Sequence, residues 1–282
     1  MTTKTVLITG TSSGIGLAAA VGAARAGWHT VATMREPGRA DALLEAARAA
    51  GVADKVQVRR LDVTEATSVA DCVAEVVAEH GRLDAVVNNA GAGFAGTVEQ
   101  QGMGPVRAAM EVNYFGVVEL TLAALPHLRA SGGRLITVTS VGGVVGQPFN
   151  EAYCAAKFAV EGFMESLAPV AASVGVRVAV VEPGAVTSEF VTNQQIDVPA
   201  MVEAAGPYGG ALQAYVERTM KSYGADTSQT SEEAAEPVVA LLDASEVPFR
   251  VQTSDWAREF VAPKLADLDG SAVQTVTGGW LR

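Results

Sequence analysis

The chain has 282 residues, of which 49% are hydrophobic and 18% charged, and it carries a formal net charge of −11 at pH 7. A chain of this length and apolar content can bury a sizeable core, which excludes a disordered protein. The acidic balance argues against a general nucleic-acid or anionic-membrane surface, so no nucleic-acid partner is expected. Cys72 and Cys154 stand in unrelated contexts and predict neither a disulfide framework nor a metal site.

The sequence predicts no targeting or membrane segment. The apolar run before Gly10 has only a few residues, which is too short for a signal peptide. No apolar run reaches the roughly 20 residues that a transmembrane helix needs. We therefore expect a cytoplasmic protein without a membrane span.

Strand-like and helix-like segments alternate along the chain. Strands are predicted over Thr5–Thr9, Trp28–Thr33, Lys55–Leu61, Leu83–Asn88, Arg134–Thr139, Val176–Val181 and Phe249–Gln252. Helices are predicted over Leu17–Ala26, Asp41–Ala50, Glu65–His80, Pro105–Leu125, Tyr153–Ser173, Ser231–Asp243 and Ser254–Leu268. This alternation predicts a single doubly wound α/β domain of the Rossmann type over residues 1–282, with a parallel sheet flanked by helices.

The segment from residue 192 to residue 225 has no strong periodicity and is dotted with Gly and Pro. A long irregular segment in a compact domain is usually a binding loop or a mobile lid. We therefore expect a core over about residues 1–190, followed by a substrate-binding loop over about residues 190–230.

A glycine-rich turn follows the first strand as Gly10-Thr11-Ser12-Ser13-Gly14-Ile15-Gly16. Glycines let the backbone turn tightly and approach a ligand closely. The helix that follows presents unpaired N–H groups and a positive dipole end to a phosphate. The turn is thus a candidate pyrophosphate cradle, in which the Ser12 and Ser13 hydroxyls could add donors. The alternative is an ordinary strand-to-helix turn.

The second strand ends at Met34-Arg35, where a dinucleotide fold specific for NAD(H) places an acidic residue on the ribose 2′-hydroxyl. An arginine suits a 2′-phosphate by its charge and fork geometry, so Arg35 favours NADP(H), with NAD(H) still possible. Glu36 is a competing carboxylate one residue further into the turn. Alternatively, Arg35 is a surface residue without a ligand.

Further polar or small residues follow later strands. Asp62 could accept a hydrogen bond from an adenine amino group or, with Thr64, cap the next helix. The Asn89-Ala90-Gly91 segment is small enough to allow a cofactor to approach. Asn113 is a polar residue in an otherwise amphipathic helix, where it is either exposed or buried and bonded to backbone.

Ser140, Tyr153 and Lys157 could form a proton-transfer device. Tyr153 and Lys157 are four residues apart, which places them one turn apart on the same face of a helix. A neighbouring ammonium favours the phenolate and lowers the pKa of the phenol. Ser140, at the end of an apolar run, could donate to a substrate oxygen. The alternative is an exposed tyrosine beside a solvated lysine.

Seven short motifs now stand in order along the first 190 residues. They are T-G-x-x-x-G-x-G over Thr9–Gly16, Asp62, N-N-A-G over Asn88–Gly91, Asn113, Ser140, Y-x-x-x-K over Tyr153–Lys157, and P-G at Pro183–Gly184. In this order and at this spacing the chain resembles the short-chain dehydrogenase/reductase family. The stretch VGGVVGQPFNEAYCAAKFAVEGFMESLA is especially similar to the branch that holds 17β-hydroxysteroid and retinol dehydrogenases.

The resemblance implies four catalytic residues. Tyr153 would be the general acid/base, and Lys157 would lower its pKa and hold the nicotinamide ribose. Ser140 would orient the substrate carbonyl, and Asn113 would hold a water that links Lys157 to solvent. The implied cofactor contacts are Gly10, Ser12, Ser13, Gly14, Ile15, Gly16, Arg35, Asp62, Val63, Asn89, Ala90, Gly91, Tyr153, Lys157, Pro183, Gly184, Val186 and Ser188. The family often has Thr at the Ser188 position and Thr187 stands beside it, so either hydroxyl could meet the cofactor.

The implied reaction is NADP(H)-dependent interconversion of a secondary alcohol and a ketone or aldehyde. Two alternatives are an NAD(H)-dependent dehydrogenase on the same scaffold and a dinucleotide-binding protein without turnover. An epimerase or dehydratase usually has a differently placed glycine fingerprint and a second catalytic group, neither of which is seen. The resemblance also implies a homodimer or homotetramer.

The substrate is predicted to be apolar, of a steroid, retinoid, polyketide or fatty type. The residues expected to bind it are Ser140, Gln147, Asn150 and Tyr153. Val144, Val145, Phe149 and Phe190 suggest an apolar pocket, although such side chains could equally cover the core. No histidine follows His127, so the resemblance does not carry steroid specificity with it.

Overall fold

The computed structural model describes residues 3–187, 197–222, 228–266 and 279. The strands are β1 Thr5–Thr9, β2 His29–Met34, β3 Val56–Arg60, β4 Ala85–Asn88, β5 Arg134–Val138, β6 Arg177–Glu182, β7 Val186–Thr187, β8 Gln229–Thr230 and β9 Arg250–Gln252. The helices are α1 Gly14–Arg25, α2 Asp41–Ala49, α3 Ala66–His80, α4 Val98–Gln101, α5 Met103–Met110, α6 Gly116–Ser131, α7 Glu151–Ala172, α8 Val198–Ala204, α9 Gly209–Ser222, α10 Ser231–Asp243 and α11 Asp255–Ala266.

Seven strands form one parallel sheet in the order β3-β2-β1-β4-β5-β6-β9, and β7 pairs with β8 in a separate short ribbon. The sheet with its flanking helices confirms the predicted doubly wound α/β architecture. Both faces of the sheet are covered because successive strand residues point to opposite sides. In β1, Val6 and Ile8 pack with side chains of α1 and α10, whereas Leu7 packs with side chains of α3, α6 and α7.

The strand order reverses between β1 and β4, which are neighbours at the centre of the sheet. In open α/β sheets, ligands bind at such a switch point, in the crevice beyond the carboxyl ends of the strands. The glycine-rich turn follows β1, and Asn89 follows β4. Ser140 lies just after β5, and Pro183 follows β6. One crevice therefore collects the predicted motifs.

The segment from residue 192 to residue 225 is less irregular than predicted. Its described part, residues 197–222, forms α8 and α9. Asp197 caps α8 by accepting a hydrogen bond from the Ala200 amide at 3.1 Å. Leu212 and Tyr215 of α9 are buried against Phe149. Contacts with the rest of the domain thus stabilise helices that the weak periodicity of the segment does not predict.

The helix predicted over Pro105–Leu125 is longer and less regular than expected. It consists of α5, a π-helical turn over Glu111–Phe115, and α6, which continues through Pro126. Proline cannot donate the hydrogen bond that the carbonyl four residues earlier would accept. That earlier residue, Leu122, is 59% exposed, so the missing hydrogen bond lies on the solvent side of the helix, where it costs less than in the core.

Within the continuous helical stretch Met103–Ser131, an 18-residue window reaches a mean hydropathy of 1.3, so by length and composition alone this stretch could cross a membrane. Charged residues such as Glu111 and Glu119 interrupt this stretch, so it is not one continuous apolar run, and the expectation of no membrane span stays a prediction. Within the domain, Leu120, Ala124 and Leu128 of this stretch are buried in the core beside the sheet. Core helices of sheet domains share the composition of membrane spans, because both present apolar side chains to an apolar environment.

Met164→Ala is expected to lower the free energy of unfolding by about 2–5 kcal/mol, because the substitution leaves a cavity. Met164 of α7 is fully buried in the core. Met220 of α9 is 65% exposed. The control Met220→Ala should therefore change the same quantity by less than about 0.5 kcal/mol. Urea unfolding followed by circular dichroism measures both, and equal losses would contradict this difference in burial.

Candidate active site

The glycine-rich turn needs glycine at two positions because other backbone lies against it. Gly10 has a φ of +69°, and a Cβ built there would lie 2.8 Å from the Ala90 Cα. A Cβ on Gly16 would lie 2.2 Å from the Gly10 carbonyl oxygen. These approaches exclude any side chain, so the turn after β1 is packed directly against the segment after β4.

Asn89 and Thr9 fasten these two segments together. The Asn89 amide Nδ2 donates to the carbonyl oxygens of Thr9 at 2.8 Å and Gly10 at 3.1 Å. The Thr9 hydroxyl accepts from the backbone N–H groups of Asn89 and Ala90, both at 3.0 Å. The Asn89 side chain therefore positions the turn itself. Its predicted cofactor contact, like that of Ala90, stays a prediction.

The N-terminus of α1 suits a negatively charged ligand. Ser13 precedes the helix in an extended conformation, and its side chain makes no capping hydrogen bond. The first turn of α1 contains no acidic residue. The first N–H groups and the positive end of the helix dipole are thus left for an anion, and the glycine cradle provides room for it. These features fit the pyrophosphate of a dinucleotide, and the individual contacts of Ser12, Gly14 and Ile15 stay predictions.

The outer end of the crevice carries the predicted adenosine contacts. Arg35 is exposed directly after β2. The Asp62 Oδ1 accepts from the Thr64 amide at 3.0 Å and from the Thr64 hydroxyl at 2.8 Å. These bonds close a local turn and do not cap α3, whose N-cap residue is Glu65 without a side-chain capping bond, so the capping alternative was wrong. Val63 packs so closely on Gly116 that a Cβ at Gly116 would lie 2.7 Å from the Val63 Cβ. The positions of Asp62 and Val63 are thus fixed by contacts within the protein.

Ser140 and Tyr153 lie beside each other at the centre of the crevice. Both side chains lie next to Gly142. A Cβ built on Gly142 would lie 3.3 Å from the Tyr153 Cε1 and 3.4 Å from the Ser140 Oγ. Ser140 caps the 3-10 turn Val141–Gly143, and its Oγ accepts from the Gly142 amide at 3.0 Å. Because the oxygen is the acceptor in that bond, the hydroxyl hydrogen can be donated elsewhere.

Lys157 lies one turn below Tyr153 on α7 and is only 5% exposed. Its Nζ is 5.8 Å from the centre of the Tyr153 ring and donates to the Val138 carbonyl at 3.1 Å. Burial lowers the pKa of Lys157 to about 8, against the opposing effect of the Glu161 carboxylate. Lys157 is therefore not a solvated surface lysine, and its ammonium lies near the Tyr153 ring, while its effect on the pKa of the phenol stays a prediction.

Asn113 is completely buried in the π-helical turn and bonded to backbone. Its Oδ1 accepts from the Ala92 amide at 3.2 Å, and its Nδ2 donates to the carbonyls of Ala92 at 2.9 Å and Ala109 at 3.1 Å. A Cβ at Gly91 would lie 2.9 Å from the Asn113 Oδ1 and 3.6 Å from the Lys157 Nζ. Asn113, Gly91 and Lys157 therefore converge, while the water relay through Asn113 stays a prediction.

The segment after β6 forms a further side of the crevice. A Cβ at Gly184 would lie 2.8 Å from the Trp256 ring of α11, so this helix presses on the chain after Pro183. Val186 is buried in β7. The Thr187 hydroxyl donates to the Ser228 Oγ at 3.2 Å. Ser188 lies outside the described residues, so the choice between these two hydroxyls stays open.

The predicted substrate-binding residues divide into two groups. Gln147 is half-buried, and the Asn150 Nδ2 donates to the Tyr215 hydroxyl of α9 at 2.6 Å. Phe149, Val144 and Val145 are buried. Phe149 packs against α9, and the two valines pack against α11. These three side chains therefore cover the core, which was the alternative to lining an apolar pocket. Phe190 lies outside the described residues.

The sequence interpretation missed Tyr215 and Trp256, which reach the crevice from the C-terminal third of the chain. It also missed Glu161 and Arg250, which form an ion pair behind the crevice at 3.2 Å. Only Glu161 had a signal, since it follows Lys157 by one helical turn. The other three are brought to the site by tertiary contacts between distant elements.

Comparison with known proteins agrees with this geometry. The family model of the short chain dehydrogenases matches residues 4–198. Retinol dehydrogenase 8 of Bos taurus is 34% identical over 275 residues, covering 95% of this chain and 87% of that protein. The 17-beta-hydroxysteroid dehydrogenase type 1 of Homo sapiens is 35% identical over 277 residues, covering 96% and 84%.

Solved structures give the same result. A short-chain dehydrogenase from Streptomyces avermitilis superposes with a TM-score of 0.77 at 30% identity, covering 99% of this chain and 98% of that one. An alcohol dehydrogenase from Thermococcus sibiricus, complexed with 5-hydroxy-NADP, has a TM-score of 0.71 at 25% identity, covering 89% and 95%. With its glycine-rich turn, its Ser140, Tyr153 and Lys157 and these matches, the chain belongs to the short-chain dehydrogenase/reductase family, in the branch of the 17β-hydroxysteroid and retinol dehydrogenases, and is an oxidoreductase acting on CH–OH donors.

Proposed function

We propose that the protein catalyses NADP(H)-dependent hydride transfer between a secondary alcohol and a ketone or aldehyde, with Tyr153 as the general acid/base. The observation that carries this proposal is the meeting of Ser140, Tyr153 and Lys157 around Gly142 and the end of β5. A phenol, a hydroxyl and a buried ammonium at the carboxyl edge of a dinucleotide-binding sheet suit proton transfer to a reacting oxygen.

Each of the three side chains has a distinct task. During reduction Tyr153 donates a proton to the carbonyl oxygen, and during oxidation its phenolate removes that proton. Ser140 donates a hydrogen bond to the same oxygen and stabilises its developing negative charge. Lys157, as an ammonium, favours the phenolate form of Tyr153. A bound nicotinamide supplies or accepts the hydride.

The preference for NADP(H) rests on Arg35. Its guanidinium is exposed after β2, at the end of the crevice where the adenosine ribose is expected. A planar guanidinium can bind a phosphate through two parallel hydrogen bonds. The Thermococcus sibiricus neighbour bound a derivative of NADP, which supports the same choice.

The proposed substrate is an apolar carbonyl compound or the matching alcohol. Trp256 and Phe260 of α11 stack with a ring-centre distance of 5.1 Å. Both rings are only partly buried, and Trp256 lies against Gly184 at the crevice, so they offer an apolar surface beside the site. The relatives named for retinol and 17β-hydroxysteroids act on ligands of comparable apolar character.

Tyr153→Phe is expected to remove most turnover, since general acid–base assistance contributes about 10²–10⁴-fold. NADPH binding should persist, because the phosphate cradle and Arg35 are untouched. Turnover is measured as NADPH oxidation with a panel of hydrophobic ketones, and binding as NADPH fluorescence. The control Tyr114→Phe removes a hydroxyl from a ring that packs against Phe163 and should turn over like the wild type. Near-normal turnover of Tyr153→Phe would refute the assignment.

Arg35→Ala is expected to raise KM for NADPH by roughly 10- to 100-fold, since a hydrogen bond to a charged group contributes about 1.5–3 kcal/mol. KM for NADH should change far less, because NADH has no 2′-phosphate. Arg48 is an exposed arginine of α2, and Arg48→Ala serves as the control. Steady-state kinetics with both cofactors decide the point, and equal losses would mean that Arg35 does not contact the phosphate.

We also propose a homodimer or homotetramer that uses the outer face of the α5–α6 helical stretch. Phe115 and Leu122, seven residues apart on this stretch, are 46% and 59% exposed. Light scattering after size-exclusion chromatography should give at least twice the monomer mass, and Leu122→Glu should shift the protein towards the monomer. Met220→Glu, at an exposed position of α9, should not. A wild-type monomer at micromolar concentration would refute the proposal.

A further inference from the structure

Five polar or charged side chains lie behind the proposed active site, at the end of β5 and on α7, β6 and β9. They are Thr139, which directly follows β5, and Glu161, Glu182, Arg250 and Gln252, and we call them the Glu161 network. Thr139, Glu161 and Glu182 are at most 4% exposed. Burying carboxylates costs free energy unless they are paired and hydrogen-bonded. A cluster of this kind therefore requires an account of what it does.

The contacts of Glu161 link three elements of the domain. Its Oε1 accepts from the Thr139 hydroxyl at 2.5 Å, and its Oε2 is 3.2 Å from the Arg250 Nη2. The Arg250 Nε lies 2.6 Å from the Glu182 Oε1, and the Gln252 Nε2 donates to the Glu182 Oε2 at 2.9 Å. The network therefore connects α7 with the ends of β5 and β6 through the edge strand β9.

These contacts reach the residues next to the reacting groups. Lys157 donates a hydrogen bond to the Val138 carbonyl, and Glu161, one helical turn later, accepts one from the Thr139 hydroxyl. Val138 and Thr139 directly precede Ser140, and Glu182 directly precedes Pro183. A Cβ at Gly143 would lie 3.0 Å from the Glu161 Cγ, so the turn after Ser140 also rests on this side chain. The network thus supports two sides of the crevice.

The charge of Glu161 matters as much as its contacts. Lys157 is buried, and the carboxylate of Glu161 counters the loss of hydration that lowers the pKa of this ammonium. Burial raises the pKa of Glu161 itself, while Thr139 and Arg250 favour its charged form. The other charged groups facing Glu161 are Arg250, Glu182 and the largely exposed Glu165, which lies 3.6 Å from the Arg250 Nη2.

We infer that Glu161 is a positioning residue for the reaction, which keeps Lys157 protonated beside Tyr153 and, through Thr139 and Arg250, fixes the chain segments that carry Ser140 and Pro183. The inference rests on the proposed function, since it assigns Glu161 a task only if Lys157 acts as an ammonium. Glu161 touches neither substrate nor cofactor in this role and acts through Lys157.

The test is the pH profile of kcat/KM for alcohol oxidation. Deprotonation of Lys157 ends activity at high pH, so the alkaline limb reports the pKa of this lysine. Removing the neighbouring carboxylate lowers that pKa, and Glu161→Gln should therefore move the alkaline limb to lower pH by about one unit, equivalent to about 1.4 kcal/mol. At pH values well below the alkaline limbs of the wild type and of Glu161→Gln, the loss of activity in the variant should be smaller than at high pH.

Two further variants separate charge from structure. Glu165→Gln removes a carboxylate from the same helix and from the same arginine, but from an exposed position, and should leave the limb in place. Glu161→Asp keeps the charge on a shorter side chain, so it should restore the position of the limb even where kcat stays reduced. An unshifted limb in a folded Glu161→Gln enzyme would overturn the inference, as would an equal shift in Glu165→Gln.

Thr139→Val provides a second test in case Glu161→Gln does not fold. It removes a hydroxyl that favours the charged form of Glu161 and that also lies 3.1 Å from the Val181 carbonyl oxygen, while Arg250 and Lys157 stay in place. The alkaline limb should move in the same direction by a smaller amount, and a limb at the wild-type position would again overturn the inference. Tyr153→Phe is assayed in parallel, and if this variant retains turnover, the proposed function is wrong. If Tyr153→Phe is inactive but the alkaline limbs of Glu161→Gln and Thr139→Val do not shift, only the role of Glu161 is wrong.

Discussion

The burial of one ammonium organises the active region of this protein. Lys157 lies inside the domain, where an unpaired charge would be costly. Three groups offset this cost: the Val138 carbonyl accepts a hydrogen bond from the Nζ, the Tyr153 ring lies near it, and the Glu161 carboxylate lies one helical turn away. Because these partners belong to β5 and α7, their interactions with the Lys157 ammonium hold the end of β5 in place against α7.

Close backbone packing is the second constraint on the site. The turn after β1 and the segment after β4 approach each other so closely that Gly10 and Gly16 leave no room for a side chain. The Asn89 amide then closes the contact by hydrogen bonds to Thr9 and Gly10. The same absence of side chains that allows this packing leaves the N-terminus of α1 open to a phosphate. Structural and ligand-binding requirements therefore coincide at the same glycines.

The Glu161 network extends this arrangement across the sheet. Strand β9 belongs to the last third of the chain, yet its Arg250 joins the carboxylates of α7 and β6. The C-terminal helix α11 adds Trp256 against Gly184 on the same side. The family match ends at residue 198, so these supports come from the part of the chain that the family model does not cover. In this protein the part that the family model matches is thus supported from behind by side chains beyond residue 198.

Much of the fold was predictable because the strands are short apolar runs and the helices follow them at regular intervals. The alternation predicts a parallel sheet and hence one edge at which the motifs after β1, β4, β5 and β6 lie. The order of the strands was not predicted and is given by the tertiary structure. Two regions were predicted wrongly. The helices α8 and α9 depend on burial against Phe149, and α6 continues past Pro126 because Leu122 faces solvent. Neither cause is visible in local propensity.

The short spacing of Tyr153 and Lys157 and the glycines before α1 determined, from the sequence alone, which chemical groups this protein can bring to a ligand. The sequence could not decide whether Lys157 was solvated or buried, whether Asn113 faced water or backbone, or whether Val144 and Val145 lined a pocket or the core. Only the tertiary structure decided these points, because burial and pairing depend on elements that are distant along the chain. Arg250 and Trp256 are the clearest examples: more than 60 residues separate each of them from the site residues that it touches or supports, and no local pattern announces either contact.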